Sequence, residues 1–273
     1  MSVEREIRQV LLFAGAVRPT PLLRAASRSV LDLPLLDGQT VGTRWARAHV
    51  ELCEAIGSGL PLRVLTDQNT PAPVSMSEGG VTIEPDNMAF LGTGGVLRAA
   101  AQGGDGLLLV ATGGTLLTRP LHELVDLLLS LRADVALLAE HDGTPTGLML
   151  VSAHVMREVP GAGYLDFKEQ CLPGIAQQHR VRVAVVPQGA PVCLPVRDRE
   201  RYLAALGVLS AGRAFRVVEP GAEVSPTARL RDAVVLRGAR VGDKAVVARS
   251  VLGPRASVAA GQVLTDGTLG GNS

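Results

Sequence analysis

Residues 217–258 read VVEPGAEVSPTARLRDAVVLRGARVGDKAVVARSVLGPRASV, and their spacing decides the architecture. Val218, Val224 and Leu230 lie six apart; after a one-residue slip Val235, Val241 and Val247 do the same, and after another so do Leu252 and Val258. Small and turn-forming residues fill the gaps, as in EPGAEV, SPTARL, RGARVG and GPRASV. One inward aliphatic per six residues, with small side chains at the corners, is the pattern of a parallel β-helix with triangular coils. At about eighteen residues per coil, residues 217–265 make fewer than three coils, which is marginal for a free-standing unit. The unit is therefore expected to lean on the rest of the chain or on another subunit.

Upstream the period changes. Strand-like runs alternate with helix-like runs, the pattern of a mainly parallel sheet with helices on both faces. Val10–Ala14, Leu62–Leu65, Leu107–Ala111, Val135–Ala139, Leu148–Val151 and Val181–Val186 read as strands, and the unbroken apolar run at 107–111 suits a strand buried on both faces. Val41, Trp45, Ala48, Leu52 and Ile56 recur at helical spacing before Gly57 and Gly59 stop them. Thr118 is expected to cap a helix carrying Leu121, Leu124, Val125, Leu128 and Leu131 on one face, and a last helix is expected near Arg199–Leu209. Residues 15–38 and 66–90 show no clear period, although a short helix, Val96–Ala101, follows the glycine run at 92–95.

Composition narrows the function. The chain has 273 residues, 47% hydrophobic but only 3% aromatic, so its core must be built from Leu, Val and Ala, as in parallel sheets and β-solenoids. A net charge of +1 argues against nucleic acid as the main partner. Cys53, Cys171 and Cys193 are too few and scattered for a disulfide framework or a cysteine-rich metal site. Neither a signal-like start nor an apolar stretch near the roughly 20 residues of a membrane span is present, so a cytoplasmic location is expected. The five histidines, at 49, 122, 141, 154 and 179, show no metal spacing.

Several segments resemble the sugar-phosphate nucleotidyltransferases, also called nucleotide-sugar pyrophosphorylases. LLFAGAVRPTPL (11–22) resembles that family's opening strand and loop, LGTGGVLRAA (91–100) its L-G-T-A-G-A-L segment, and LLLVATGGTLL (107–117) its strand ending in N-G-D. GYLDFKEQCLP (163–173) is similar to its sugar-side segment and RDRERYLAAL (197–206) to the helix after its second metal-binding aspartate. The resemblance covers nearly the whole chain. It implies a Rossmann-like α/β domain of the GT-A-like nucleotidyltransferase type over residues 1–210, a short left-handed β-helix over 217–266 and a flexible tail over 267–273. It further implies joining of a nucleoside triphosphate to a sugar 1-phosphate with release of pyrophosphate, Mg2+ serving as the metal.

The same resemblance assigns roles. Gly15, Gly92, Thr93, Gly94 and Gly95 become nucleotide-facing positions, where glycine lets backbone approach phosphate or base. Arg18 stands nearest to the family's phosphate-clamping arginine, and Lys168, the only lysine before position 244, falls in the sugar-side segment. Asp67 closes a strand at the sheet edge where α/β folds bind ligands. The departures are as specific as the matches. No lysine precedes position 168, so the family's P-K-P lysine has no counterpart, and Gly114 and Pro195 stand where the two metal-binding aspartates belong. Asp105 and Asp198 are the nearest carboxylates in sequence to those positions.

Two functions follow. One is an active nucleotidyltransferase with an altered site; the other is a non-catalytic relative that keeps nucleotide binding and serves as a regulatory or scaffold subunit. A hexapeptide acyltransferase is excluded, because that chemistry needs a histidine base and none follows position 179. Self-association into a homo-oligomer through the β-helix is expected, since a short solenoid leaves flat faces and an end exposed.

Overall fold

The computed structural model describes residues 6–15, 19–66, 71–76, 80–85, 91–161 and 163–270. Arg18 and Asp67 lie outside the described residues.

Up to residue 195 the strands are β1 (Ile7–Phe13), β2 (Leu62–Thr66), β3 (Val81–Pro85), β4 (Leu107–Thr112), β5 (Thr115–Leu117), β6 (Val135–Ala139), β7 (Pro145–Ser152), β8 (Val181–Val185) and β9 (Cys193–Pro195). The helices are α1 (Pro21–Ala26), α2 (Val41–Ile56), α3 (Gly92–Ala101), α4 (Leu121–Ser130), α5 (Ala153–Glu158), α6 (Leu172–Gln178) and α7 (Arg199–Leu209). Seven strands form one sheet in the order β3-β2-β1-β4-β7-β6-β8, and β5 pairs with β9 in a separate antiparallel ribbon.

Alternation along the central strands divides the core. Val10 and Leu12 of β1, with Leu107, Leu109 and Ala111 of β4, face α2, α4 and α7. Leu11, Leu108 and Val110 face α3, α5 and α6 on the other side. Helices on both faces explain why β4 is apolar along its length.

The sheet is less uniformly parallel than its apolar runs suggest. Strand β7 runs antiparallel to both β4 and β6. Only residues 140–144 separate β6 from β7, and a parallel return needs a crossover of roughly a dozen residues or more, so a hairpin is the only connection that fits. Two helix starts also differ from expectation. Thr118 is not the cap of α4, which follows Pro120; its hydroxyl donates to the Pro191 carbonyl at 2.7 Å. In the stretch without a clear period, Thr20 caps α1 by accepting from the Leu23 N–H, with Pro21 at the first helical position.

Beyond α7 the strands are short and parallel: β10 (Arg216–Val218), β11 (Glu223–Val224), β12 (Arg229–Arg231), β13 (Ala233–Val235), β14 (Arg240–Val241), β15 (Val246–Ala248), β16 (Val251–Leu252), β17 (Ser257–Val258), β18 (Val263–Thr265) and β19 (Thr268–Leu269). They form three sheets, β10-β13-β16-β19, β11-β14-β17 and β12-β15-β18. Val218 pairs with Val235, Val235 with Leu252 and Leu252 with Leu269, a spacing of seventeen residues at each step rather than eighteen. The slip seen in sequence is thus the period itself. The shortening falls at the corner before β13, β16 and β19, where only Asp232, Arg249-Ser250 and Asp266-Gly267 join the strands, and Asp232 (φ 50°), Arg249 (φ 45°) and Asp266 (φ 53°) adopt the left-handed conformation there. Because β19 pairs with β16, the parallel strands run past residue 266, where a flexible tail was expected to begin.

Alternate residues of the first sheet face opposite ways. Val235 and Leu252 join Val241, Val247 and Val258 in a cluster enclosed by the three sheets. Val217, Val234 and Val251 belong to the core shared with Leu22, Leu23, Tyr202 and Leu206 of α1 and α7. The C-terminal strands therefore lean on the first part of the chain. Arg28 strengthens that junction with a bidentate pair to Glu219, Nη1 and Nη2 lying 2.6 and 3.0 Å from the two carboxylate oxygens, both side chains less than a fifth exposed. Replacing Arg28 by Met is expected to lower stability by about 2 kcal/mol in urea unfolding, because Glu219 keeps only its bond from the Arg237 N–H. An unchanged midpoint would show that the pair adds nothing to the junction. Among the described residues no helix is long and apolar enough to cross a membrane.

Candidate functional site

The carboxyl ends of β1 and β4 lie side by side at the middle of the sheet, the edge at which α/β folds bind ligands. Ala14 and Gly15 both donate their N–H groups to the Leu65 carbonyl, at 2.9 and 3.1 Å, and Gly113 donates to the Phe13 carbonyl at 2.8 Å. These bonds fix where the chain leaves each strand. From Gly113 it passes directly into β5, which the Trp45 indole N–H holds from α2 through the Thr115 carbonyl at 2.8 Å.

The β5–β9 ribbon brings together two distant parts of the chain. Thr115 pairs with Pro195, and the Val196 N–H donates to the Gly114 carbonyl at 2.9 Å. The two positions that the family resemblance assigns to metal-binding aspartates, 114 and 195, are therefore adjacent. Neither position carries a carboxylate.

A guanidinium occupies the ground instead. A Cβ on Gly114 would meet Arg197 Nε at 2.4 Å and its Cγ at 2.5 Å, so the arginine lies across the glycine. Its Nη2 reaches the Gly15 carbonyl at 3.5 Å, a long contact. Its backbone is held by the Val196 N–H bond on one side and, at 2.5 Å, by the Thr20 hydroxyl donating to its carbonyl. The Nε–H is enclosed and has no acceptor among the described residues. Burial, with no carboxylate opposing it, lowers this guanidinium below the usual arginine range. An enclosed unpaired donor costs about 1–3 kcal/mol, more when it is charged. Sequence reasoning passed over Arg197 because its partner surface is a glycine some eighty residues away.

The glycine run at 92–95 has a different setting. Gly92 (φ 67°) and Gly94 abut the segment that carries Lys168: a Cβ on Gly92 would lie 2.4 Å from the Leu165 carbonyl oxygen, and one on Gly94 2.5 Å from Cys171 Sγ. Gly94 donates to the Leu165 carbonyl at 2.8 Å, Leu165 donates back to the Leu91 carbonyl at 2.8 Å, and the Thr93 hydroxyl accepts from the Phe167 N–H at 3.0 Å. A Cβ on Gly95 would meet Leu91 Cβ at 2.7 Å. The structure thus joins Gly92, Thr93 and Gly94 to the 165–171 segment. It joins Gly15 to Arg197. Lys168 is exposed, and its N–H, like that of Glu169, is capped at 2.9 Å by Asp166; no ion pair holds its ammonium among the described residues.

The Mg2+ implied by the resemblance is judged by the donors present. Glycine and proline stand at 114 and 195 with a cation across the first of them, and among the described residues no group of three His, Cys, Asp or Glu side chains could hold a metal ion. Asp105 precedes β4, at its opposite end, and is paired with Arg157. Asp198 caps α7 by accepting from the Arg201 N–H at 2.9 Å. These residues do not fit the ion.

No family model matches the chain, and no curated protein matches it. Solved structures do. HddC from Yersinia pseudotuberculosis superposes with a TM-score of 0.54 at 15% identity, covering 74% of this chain and 100% of that one. A Bacillus anthracis protein provisionally described as a glucose-1-phosphate thymidylyltransferase, solved with a sucrose, gives 0.54 at 12% identity, covering 76% of this chain and 97% of that one. At such identities the likeness shows a shared fold.

Proposed function

We propose that the chain is a member of the sugar-phosphate nucleotidyltransferase group that binds a phosphate-bearing nucleotide or nucleotide-sugar and does not transfer it, acting as a regulatory or assembly subunit. One observation carries this: positions 114 and 195 meet at the ligand edge of the sheet, as a metal site would require, but as glycine and proline. Transfer to a sugar 1-phosphate in this group relies on a divalent ion to neutralise charge on the moving phosphoryl. Binding needs only a backbone edge and cations; Gly15 with Arg197 would supply them, and the exposed Lys168 would add a further charge. The fold shared with HddC and the Bacillus anthracis protein supports the group. The seventeen-residue parallel register supports reading residues 217–266 as the β-helix expected from the sequence, with strands running on to residue 269. A second copy would meet the two of its sheets that α1 and α7 leave free.

The test is calorimetric titration of the full chain with nucleoside triphosphates, nucleotide-sugars and sugar 1-phosphates, alongside an assay of pyrophosphate release with magnesium. Saturable binding of at least one nucleotide, without pyrophosphate release, is expected. Sustained release would overturn the proposal, and so would the absence of binding across the whole panel.

A further inference from the structure

We infer that Arg197 is the anion-binding group of a metal-free diphosphate site, one that takes the phosphates of its ligand stripped of magnesium. The inference deepens the proposed function and rests on it for the nucleotide part of the ligand only.

Four observations converge. The backbone of Arg197 is fixed on both sides, by the Val196 bond to Gly114 and by the Thr20 hydroxyl, so the side chain is delivered to this edge by design of the fold. Residue 114 is compatible with that path only without a side chain. No ion pair neutralises the guanidinium among the described residues, whereas Arg28, Arg63 and Arg157 each have a carboxylate partner. Among the described residues its one hydrogen bond, to the Gly15 carbonyl, is long. A partly buried cation lacking a counter-charge is costly in the empty protein, and the cost is relieved when an anion arrives.

The chemistry of the group selects the anion. Guanidinium presents a planar fork of N–H donors that matches two phosphate oxygens, and it holds its charge in a desolvated setting better than an ammonium. Gly15, whose carbonyl the Arg197 Nη2 reaches, carries no side chain to stand between its backbone and a phosphate. A magnesium ion on the diphosphate reverses the balance, because it cancels the negative charge that Arg197 attracts and adds a positive charge that Arg197 repels. Magnesium is therefore a competitor at this site.

Inorganic pyrophosphate and a nucleoside diphosphate are the probes, titrated into the full-length protein in EDTA and again in excess magnesium, with melting temperature recorded in parallel. Pyrophosphate is expected to bind in EDTA and to weaken severalfold in magnesium. Arg197→Met is expected to weaken it by about ten- to a hundredfold, the span of a charged hydrogen bond, without lowering the melting temperature of the unliganded protein. Arg197→Lys, which keeps the charge and loses the fork, is expected to fall between the two, and with the magnesium response it carries the test should Arg197→Met fail to fold. Equal binding by Arg197→Met, or tighter binding in magnesium, would overturn the inference. Nucleoside diphosphate held equally by wild type and Arg197→Met leaves the proposed function standing and removes this one; pyrophosphate held through Arg197 with no nucleotide binding does the opposite.

Discussion

Gly253→Ala is expected to be the most damaging single-methyl change in the C-terminal strands, lowering stability by about 3–5 kcal/mol and the melting temperature by roughly 10 °C. The cause is steric. A Cβ at 253 would lie 1.8 Å from the Ala25 carbonyl oxygen and 2.6 Å from the Ala25 carbonyl carbon, with the Leu269 oxygen at 3.2 Å behind it. All three are backbone atoms, so no rotamer change makes room. Helix α1 cannot retreat without exposing Leu22 and Leu23, which are 1% and 6% accessible, and β16 is tied by the Gly253 N–H to the Leu269 carbonyl at 2.6 Å. The methyl can be accommodated only by lifting the parallel strands away from α1. Thermal melts check the size of the loss, and limited proteolysis checks its place, with new cleavage expected between α7 and β10. Gly59→Ala, where a Cβ meets nothing within 4 Å, is the control expected to melt like the wild type. A wild-type melting temperature for Gly253→Ala would mean that α1 does not sit against these strands.

The junction tested by that variant was only half legible in the sequence. Spacing of aliphatics exposed the inward set, Val235, Val241, Val247, Leu252 and Val258, because each repeats within one coil. Val217, Val234 and Val251, which bury the outer face of one sheet, repeat only every seventeen residues, a period invisible until the coil length is known. Helix α2 was legible to the residue: its apolar stripe repeats locally, and Gly57 ends it in the left-handed conformation. Helix α1 was not read from the sequence: one turn and a half is too short for periodicity to register, and the only local signals are Thr20 and Pro21 at its start. The direction of β7 is not encoded in its apolar content at all; the information lay in the short connection at 140–144.

The candidate site divides in the same way. The 92–95 run stood out because glycine clusters are conspicuous, and Gly15 because its segment resembles the family's opening strand and loop. Arg197 did not, since one of three arginines in RDRER (197–201) looks like any solvated residue, and its meaning depends on a pairing between Thr115 and Pro195 that only folding creates. The one available sign was joint: glycine and proline at the two positions that the resemblance assigns to carboxylates, and an arginine two residues after the second.

Gly92→Ala is expected to cost about 3 kcal/mol or more in urea unfolding while leaving ligand affinity close to wild type in the folded fraction. Two independent penalties add. Alanine at a φ of 67° pays about 1 kcal/mol for the left-handed conformation. Its methyl would also sit 2.4 Å from the Leu165 carbonyl oxygen and 2.8 Å from the carbonyl carbon, and that carbonyl is already committed to the Gly94 N–H. Moving Leu165 pulls on its own bond to the Leu91 carbonyl and on the Phe167 N–H held by Thr93, so the start of α3 and the 165–171 segment loosen as one. Gly94→Ala is expected to cost less, because the atom it meets first is the Cys171 sulfur, the end of a side chain. A glycine kept for ligand approach would behave in the opposite sense, with stability unchanged and affinity lost. Calorimetric titration of the two variants, set against their unfolding midpoints, separates the two: a run of glycines that fails in folding serves the packing of Lys168's segment, and one that fails in binding faces the nucleotide.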